Sequence, residues 1–505
     1  MRLGELFSKE ILDAAVCPGR SSDETAIQDT DITGICIDSR SVEKGNIFFC
    51  IDGTESDGHI YADKAAQGGA SVIVCSKDID KACGVIYLKV DDTTAELNRV
   101  CNIFYGRPSE KMTVFAVTGT NGKSTIASII KDIYSHKKPC GYMGTIGVSY
   151  GDFSRLASLT TPSQVEIHKV MADMYDAGIR AVAMEASSHG LIQHRTDSVD
   201  IDCAIFTQLT HEHLDYHGTM ENYFDAKKLL FKNMKKDGVA VLNADDDVSI
   251  EGLKECCSCR YVTYGIDNEA DYRATDVKLH PRYTDFTLTC GGKSYKVRIN
   301  LIAKYNISNA LAMIAAVCEM GMDVEELIPL LTCIPQVPGR MEVIDEGQDY
   351  HVIVDFAHTP DAFEKVFAFA HDVIGENAKV YSVFGSSGRR DTTKRPVMGR
   401  IAGMYCDEIV TTQDDPRDED PAEISRQIMD GIENDKCERC FIERRGEAIE
   451  HIIRKAKKDD MILLLGQGRQ PYVIKENNYR DPYDGDHEAA RKIIRKYSGI
   501  HKDKE

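Results

Sequence analysis

The chain has 505 residues, too many for one hydrophobic core, and at ~150 residues per domain about three domains are expected. Apolar residues make up 42% and charged residues 28%, an ordinary globular balance that excludes a disordered or collagen-like chain. With 61 Lys+Arg against 81 Asp+Glu the net charge is −20, which repels polyanions, so neither nucleic acid nor an anionic membrane is expected as a partner. Small anionic substrates stay open wherever basic residues are concentrated locally.

The opening MRLGELFSKEILDAAV mixes charges into its apolar positions and lacks a signal-peptide core. No uncharged apolar stretch nears the ~18 residues of a membrane span; one of the longest, NALAMIAAVCEMGM (309–322), contains a glutamate. Seventeen cysteines, an odd number without a signal sequence, fit reduced thiols in a cytoplasmic protein. CCSC (256–259) and CERC (437–440) look metal-like, but each lacks a second pair at zinc-finger distance, so free thiols are expected.

In chain order, the first region alternates short apolar runs (NIFFCI, ASVIVC, GVIYLKV) with helical stretches. It closes on a helix striped by Leu97, Val100, Cys101 and Phe104 and stopped by Pro108, where a boundary is placed. The second region opens with the strand TVFAVTG (113–119), a glycine-containing turn and a helix faced by Ile126, Ile129, Ile130 and Ile133. RAVAMEA (180–186), CAIFTQL (203–209) and GVAVLNA (238–244) are further buried strands with helical segments between several of them, the βαβ signature of a mostly parallel sheet. IPQVPGR (334–340) reads as a linker. The third region repeats the style with HVIVDFA, KVYSVFG, DEIVTTQ and MILLLGQ. In both later regions the unusual polar clusters directly follow strands, where open α/β sheets bind ligands. The expected fold is α/β in three domains: residues 1–108, 109–336 and 337–505.

TGTNGKST (118–125) follows the first strand of the second region. Gly119 and Gly122 allow backbone N–H groups, with Thr120, Asn121 and Thr125 beside them, to face a polyphosphate. Lys123 is expected at the terminal phosphates, and the Ser124 hydroxyl at Mg²⁺. Val117 stands where the first glycine of the strict phosphate-loop spacing belongs. Strand before, GKST after and an apolar helix following favour nucleotide binding over a solvated Gly-Asn turn.

The TGTNGKS form resembles the Mur ligase and folylpolyglutamate synthase superfamily. DSRSVEKGNIFF (38–49), YMGTIG (142–147), TTPS (160–163), MEASSHGLIQHR (184–195), HLDYHGTMENY (213–223), NADD (243–246), PGRMEV (338–343), DFAHTPDA (355–362), KRPVMG (394–399) and DDPRDEDP (414–421) follow in the family's order. Together, across all three regions, they resemble the MurE type, whose members join a diamino acid to UDP-N-acetylmuramoyl-L-alanyl-D-glutamate. The resemblance implies a UDP-binding N-terminal domain, a central phosphate-loop domain and a C-terminal Rossmann-like domain. It also implies ATP-dependent amide-bond formation in peptidoglycan precursor synthesis.

Such a reaction phosphorylates a carboxylate, and an amine then attacks the acyl phosphate, so the protein chiefly positions groups and neutralises charge. Glu185 and His213 both follow strands and are expected with Ser124 around Mg²⁺. His211, His213 and His217 crowd together, and zinc is the competing reading, though no fixed spacing enforces convergence. Lys227 has Lys228 beside it and by default would be a surface lysine; the resemblance implies a CO₂-derived carbamate there, a metal-binding anion. Asn306 and Asn309 sit at helix-start spacing as caps, or by resemblance near adenine. By resemblance Arg340 contacts phosphates, and Asp355 and His358 contact the nucleotide. Ser39, Thr160, Thr161, Ser187, Gln193 and Arg195 match the nucleotide-sugar site. For the hydroxyl residues turn and cap chemistry is the alternative; a bidentate guanidinium makes Arg195 the best single anion contact.

Arg417 in DDPR and Arg390 match the contacts to the two carboxylates of meso-diaminopimelate, which has one more than lysine. Asp415 replaces the family's asparagine, and GKGHE reads GQGRQ (466–470): Gly466 is kept, while Gln470 stands where a glutamate is expected to hold the distal ammonium. The acceptor is therefore expected to be meso-diaminopimelate, with L-lysine next. A divergent paralogue with another acceptor, a folylpolyglutamate-type ligase and a non-catalytic nucleotide-gated scaffold are the alternatives. The expected partners are ATP, UDP-N-acetylmuramoyl-dipeptide and the diamino acid, and a monomer is expected.

Overall fold

The computed structural model describes residues 1–19, 24–53, 56–157 and 159–497. Strands β1 (Gly34–Cys36), β2 (Asn46–Phe49), β3 (Val72–Cys75) and β4 (Ile86–Lys89) form a parallel sheet in that order. Both faces are covered, which is why the runs are apolar throughout: Phe49, Val72 and Val74 serve one core, and Phe48, Ile73 and Cys75 the other. The helix Thr93–Phe104 buries its predicted stripe in the first core, and Asp92 caps it by accepting from Thr94 N (2.8 Å) and Ala95 N (2.9 Å).

The second sheet contains β5 (Thr113–Thr118), β6 (Cys140–Gly144), β7 (Gly147–Tyr150), β8 (Phe153–Arg155), β9 (Ala181–Glu185), β10 (Cys203–Phe206) and β11 (Val239–Asn243), in the order β11-β10-β5-β9-β6-β7-β8. The five from β11 to β6 are parallel, and β7 and β8 run antiparallel. From β5 the chain moves to one side of the sheet, and from β10 to the other. The C-terminal ends of β5 and β10 therefore flank a topological switch point, where a crevice opens.

By internal packing the chain divides into Met1–Thr263 and Tyr264–Glu505. The second unit begins with the end of β12 (Arg260–Gly265), pairing parallel with β13 (Tyr272–Leu279), which continues antiparallel into β14 (Thr284–Cys290) and β15 (Lys293–Ile299). The helix Lys304–Glu319 follows, almost wholly buried from Asn306 to Val317. A last sheet has the order β16-β17-β21-β18-β19-β20, with β16 (Glu342–Val343), β17 (His351–Asp355), β18 (Val380–Phe384), β19 (Glu408–Thr411), β20 (Glu438–Phe441) and β21 (Met461–Leu465). All but β16 run parallel. Along β21 alternate residues serve opposite cores, Met461, Leu463 and Leu465 against Ile462 and Leu464. Among the described residues no helix is long and apolar enough to cross a membrane.

Candidate active site

Four residues turn the chain from β5 into the helix Lys123–Tyr134. Gly119 takes φ +138°, and a Cβ there would fall 1.8 Å from Thr207 Oγ1, just beyond β10, so only glycine lets the two strand ends approach. Thr207 Oγ1 donates to Asn121 O (2.6 Å), and Thr120 N donates to Gln208 O (2.8 Å). Thr120 Oγ1 accepts from Thr210 N (3.0 Å). Lys123 Nζ is held over the turn by Gly119 O (2.9 Å) and Thr120 O (2.8 Å). Gly122 (φ +91°) is the N-cap, and Ser124 and Thr125 lie buried in the first turn, at the end of the helix whose dipole favours an anion.

The helix Met220–Lys232 reaches the same turn through Tyr223, whose hydroxyl donates to Thr120 Oγ1 (3.3 Å). One turn on, Lys227 is only 1% exposed, with Nζ 4.2 Å from the Tyr223 ring. Burial, and then the charge of Lys123, hold its pKa well below the ordinary lysine value, with Glu212 acting in the opposite direction. The default surface-lysine reading is therefore wrong: the preceding turn of the helix carries Tyr223 into the site, and Lys227 follows on the same face. His213 is half-exposed in a left-handed conformation (φ +56°), its ring 6.1 Å from Tyr223 and 5.0 Å from His189. His217 is buried, with Nε2 2.9 Å from Ser188 Oγ. At the end of β9, the buried Glu185 carboxylate accepts from Tyr142 OH, Thr145 N (2.9 Å) and Thr145 Oγ1 (3.0 Å). These contacts leave it part of its capacity of about four.

Thr161, fully buried, donates from Oγ1 to Glu185 O (2.9 Å), accepts from Ser187 N (2.9 Å) and lies 3.0 Å from Ser187 Oγ. Ser187 caps the helix Ser188–Ile192. Both hydroxyls therefore do turn and cap work. Thr160 Oγ1 sits 3.0 Å from Thr145 Oγ1. Arg195 Nη1 donates to Thr161 O (2.6 Å) and Nη2 to Gln193 Oε1, while Gln193 Nε2 donates to Tyr216 OH (3.2 Å). Ser39 stands in the loop between β1 and β2, where Arg40 clamps Asp38 through Nε (2.9 Å) and Nη2 (2.7 Å), holding that carboxyl down to about 2.

In the second unit Asn306 Nδ2 donates to Ile302 O (2.9 Å) and Asn309 Nδ2 to Asn306 Oδ1 (3.0 Å). Neither is the cap that their spacing suggests: Ala303 (φ +76°) holds the N-cap position, and both asparagines lie buried inside the helix. Asp355 accepts from Met341 N and Ala357 N (2.7 Å each), fastening the PGRME turn to the end of β17. Its burial raises its pKa, opposed by the nearby Arg340 and those two N–H groups. Arg340 lies 5.1 Å from the Phe356 ring, and the exposed His358 sets Nδ1 2.8 Å from Phe356 O.

Three loops leave the C-terminal ends of the neighbouring strands β21, β18 and β19. They carry Arg390, Asp415, Arg417, Gly466 and Gln470, and they are knit together. Gly388 N donates to Asp415 O (3.0 Å), Arg417 N to Ile474 O (3.0 Å), and Ile474 N to Asp415 Oδ1 (2.7 Å). Gln470 Nε2 lies 3.1 Å from both Asp415 carboxylate oxygens. A Cβ on Gly466 (φ +99°) would fall 2.3 Å from Asp414 Oδ2, so the glycine makes room for that acid. Burial pushes Asp414 up to about 6, with Asp415 and Asp486 adding and Arg445 opposing. Asp415 (φ +45°) and Arg417 (φ +55°) both hold left-handed backbone, at about 1–3 kcal/mol each. Arg417 Nε and Ser386 Oγ are buried without a hydrogen-bond partner among the described residues. Arg389 is clamped to Asp418 (Nε 2.8 Å), leaving the exposed Arg390 beside it.

Three family models cover the chain: "Mur ligase family, catalytic domain" over residues 31–105, "Mur ligase middle domain" over 117–317, and "Mur ligase, glutamate ligase domain" over 339–468. A UDP-N-acetylmuramoyl-L-alanyl-D-glutamate–2,6-diaminopimelate ligase of Bacillus cereus is 39% identical, covering 92% of this chain and 95% of its own. The chain belongs to the Mur ligase family. A second relative, ligase 1 of the same name from Clostridium acetobutylicum, is 39% identical over 88% of this chain and 91% of its own. A solved structure with that enzyme name matches with TM-score 0.67 and 30% identity, over 92% of this chain and 94% of its own.

Motif reading of this Mur ligase missed Tyr223, Thr207, Tyr142 and His189, each of which touches a predicted residue. Tyr223 had a signal, since it lies four residues before Lys227 and so on the same helix face. The zinc alternative finds no donor set: among the described residues, His211, His213 and His217 belong to no group of three or more donors with converging ligand atoms. Cys440 does lie with Glu408 and His451, but Lys455 Nζ already sits 2.8 and 2.7 Å from the two Glu408 oxygens. No disulfide joins the described cysteines.

Proposed function

We propose that this Mur ligase is an ATP-dependent enzyme that joins meso-2,6-diaminopimelate to UDP-N-acetylmuramoyl-L-alanyl-D-glutamate, acting as a cytoplasmic monomer in peptidoglycan precursor synthesis. The end-to-end 39% identity to ligases named for that reaction carries the reading. The glycine turn pinned to the end of β10 supports it physically, because it presents Lys123 and a helix N-terminus to a polyphosphate.

The γ-phosphoryl group of ATP passes to the side-chain carboxylate of the D-glutamyl residue. The acceptor amine then attacks the acyl carbon, the C–O bond to phosphate breaks, and the amine proton leaves to solvent. Gly119, Thr120, Asn121, Gly122, Ser124 and Thr125 cradle the phosphates, and Lys123 and Arg340 offset their charge. Asn306 and Asn309 hold the base, and Asp355 and His358 the rest of the nucleotide. Ser39, Thr160, Gln193 and Arg195 receive the UDP-sugar, with Thr161 and Ser187 shaping its wall. Arg390 and Arg417 take acceptor carboxylates, beside Asp415, Gly466 and Gln470.

The donor set fits Mg²⁺: Glu185 has unused acceptor capacity, His213 offers a half-exposed ring nitrogen, and Ser124 a hydroxyl. When bound, Mg²⁺ would neutralise phosphate charge. Burial lowers the Lys227 pKa and so favours the neutral amine, which can add to CO₂: an N–C bond forms, a proton is lost to solvent, and the resulting carbamate would offer a further anionic ligand.

The test is release of ADP and phosphate from ATP with UDP-N-acetylmuramoyl-L-alanyl-D-glutamate and, in turn, meso-diaminopimelate, L-lysine, L-ornithine or glutamate. Turnover with meso-diaminopimelate is expected. No turnover with any acceptor would defeat the ligase reading, and glutamate with a folate would favour the folylpolyglutamate type. Lysine alone would move the acceptor assignment.

A further inference from the structure

The acceptor loops hold a surplus acid. Asp418 answers Arg389 (2.6 Å), Glu419 answers Arg395 (2.9 Å), Glu342 answers Arg469 (2.5 Å) and Asp486 answers Arg445 (2.7 Å). Asp391 is occupied by Thr393 N (2.9 Å) and Thr393 Oγ1 (2.6 Å). Asp414 is buried between Gly385 and Gly466. That leaves Asp415, half-buried and without a salt bridge among the described residues, oriented by Gln470 Nε2 and Ile474 N and keeping carboxylate capacity to spare. Two residues on, Arg417 keeps a buried guanidinium N–H with no partner among the described residues. An unmatched anion and an unmatched cationic donor on one strained turn are complementary to a zwitterion, with ammonium toward the acid and carboxylate toward the arginine.

Asp415 and Gln470 are also the two positions at which the sequence departs from the expected asparagine and glutamate. Because the structure hydrogen-bonds one to the other, acid and amide have changed places across a single contact, and the negative charge stays within 3.1 Å of where Gln470 ends. We propose that Asp415, oriented by Gln470, binds the ammonium of the acceptor that does not react, as a transposed acid–amide pair. The proposal rests on the diaminopimelate reading above and deepens it.

The experiment is steady-state kinetics of the full chain with meso-diaminopimelate and with 2-aminopimelate, which lacks the second amine. Asp415→Asn is expected to raise KM for meso-diaminopimelate ~10–100-fold, as for loss of a charged hydrogen bond. Its KM for ATP and for the UDP-substrate should stay within about twofold, and its preference over 2-aminopimelate should collapse. The double variant Asp415→Asn/Gln470→Glu is expected to recover both KM and preference, which a merely misfolded loop would not do. An Asp415→Asn enzyme that keeps the wild-type preference, or a double variant no better than the single one, overturns the proposal. If the wild type turns over L-lysine but not meso-diaminopimelate, the acceptor reading fails. The transposed pair then stands only if Asp415→Asn weakens L-lysine and norleucine in the same unequal way. Wild type idle with every acceptor overturns both.

Discussion

Both units bury a cation, in opposite ways. Arg445 is 1% exposed, with Nε and Nη2 each 2.7 Å from a different oxygen of Asp486 and a further bond from Nη2 to Leu465 O (2.7 Å). Lys227 is equally buried, yet has no salt bridge among the described residues; beside it lies the Tyr223 ring, and the repulsion of Lys123 outweighs the attraction of Glu212. An arginine cannot shed its proton, so its burial demands a carboxylate, and its bonds tie the end of β21 to the first turn of the helix Gly485–Tyr497. A lysine can shed its proton, so it can stand buried as a neutral amine open to reaction.

The sharpest way to break this contrast is Arg445→Met, which strands Asp486 in the interior. A loss of about 3–5 kcal/mol in urea unfolding is expected, and a loss below about 1 kcal/mol would mean that the pair holds nothing together. On the phosphate side Lys123→Ala should lower kcat by about 10²–10³-fold with an unchanged thermal midpoint; near-normal turnover would remove the loop from the mechanism.

Asp414 extends the contrast, since it is a buried acid without a salt bridge among the described residues. Its folded pKa of about 6 lies above the unfolded 3.8, so between those values only the native state keeps the proton, and stability falls as pH rises through that window. Asp414→Asn should therefore be more stable than wild type at pH 8, by at most about 3 kcal/mol, and the gain should fade by about pH 4 in thermal scans. A pH-independent difference would count against the burial argument.

Lys227 gives the smallest change per pH unit. With its folded pKa below the unfolded 10.5, the unfolded chain binds the extra proton between the two values, so stability rises with pH across that range. In CO₂-free buffer the wild type should gain on Lys227→Met by about 1 kcal/mol per pH unit, while the variant folds normally and loses turnover. Parallel stability curves would mean that the buried amine is protonated after all. Intact mass of the wild type with and without bicarbonate checks the carbamate directly.

The strands were legible because parallel strands covered on both faces read as unbroken apolar runs, as in TVFAV and MILLL. The turn between β5 and its helix was legible because its backbone conformation requires glycine at 119 and 122, and such a requirement is written locally. Lys227 was not, since no spacing in YFDAKKLLF says which of two adjacent lysines faces inward; the packing of Tyr223 onto Thr120 decides it. The cap reading of Asn306 fails for a similar reason: the helix is capped by Ala303 at positive φ, which residue propensity does not favour.

The acceptor loops mark the limit most clearly. By itself the sequence determined three α/β regions, a glycine turn between strand and helix and an acidic net charge, because periodicity, glycine placement and charge are properties of residues and their near neighbours. It also displayed Asp415 and Gln470 as two separate departures, fifty-five positions apart. Only the tertiary structure decided that they are one feature, because the loops after β19 and β21 fold onto each other there. A charge displaced by a single hydrogen bond can be recognised only when both of its ends are in place.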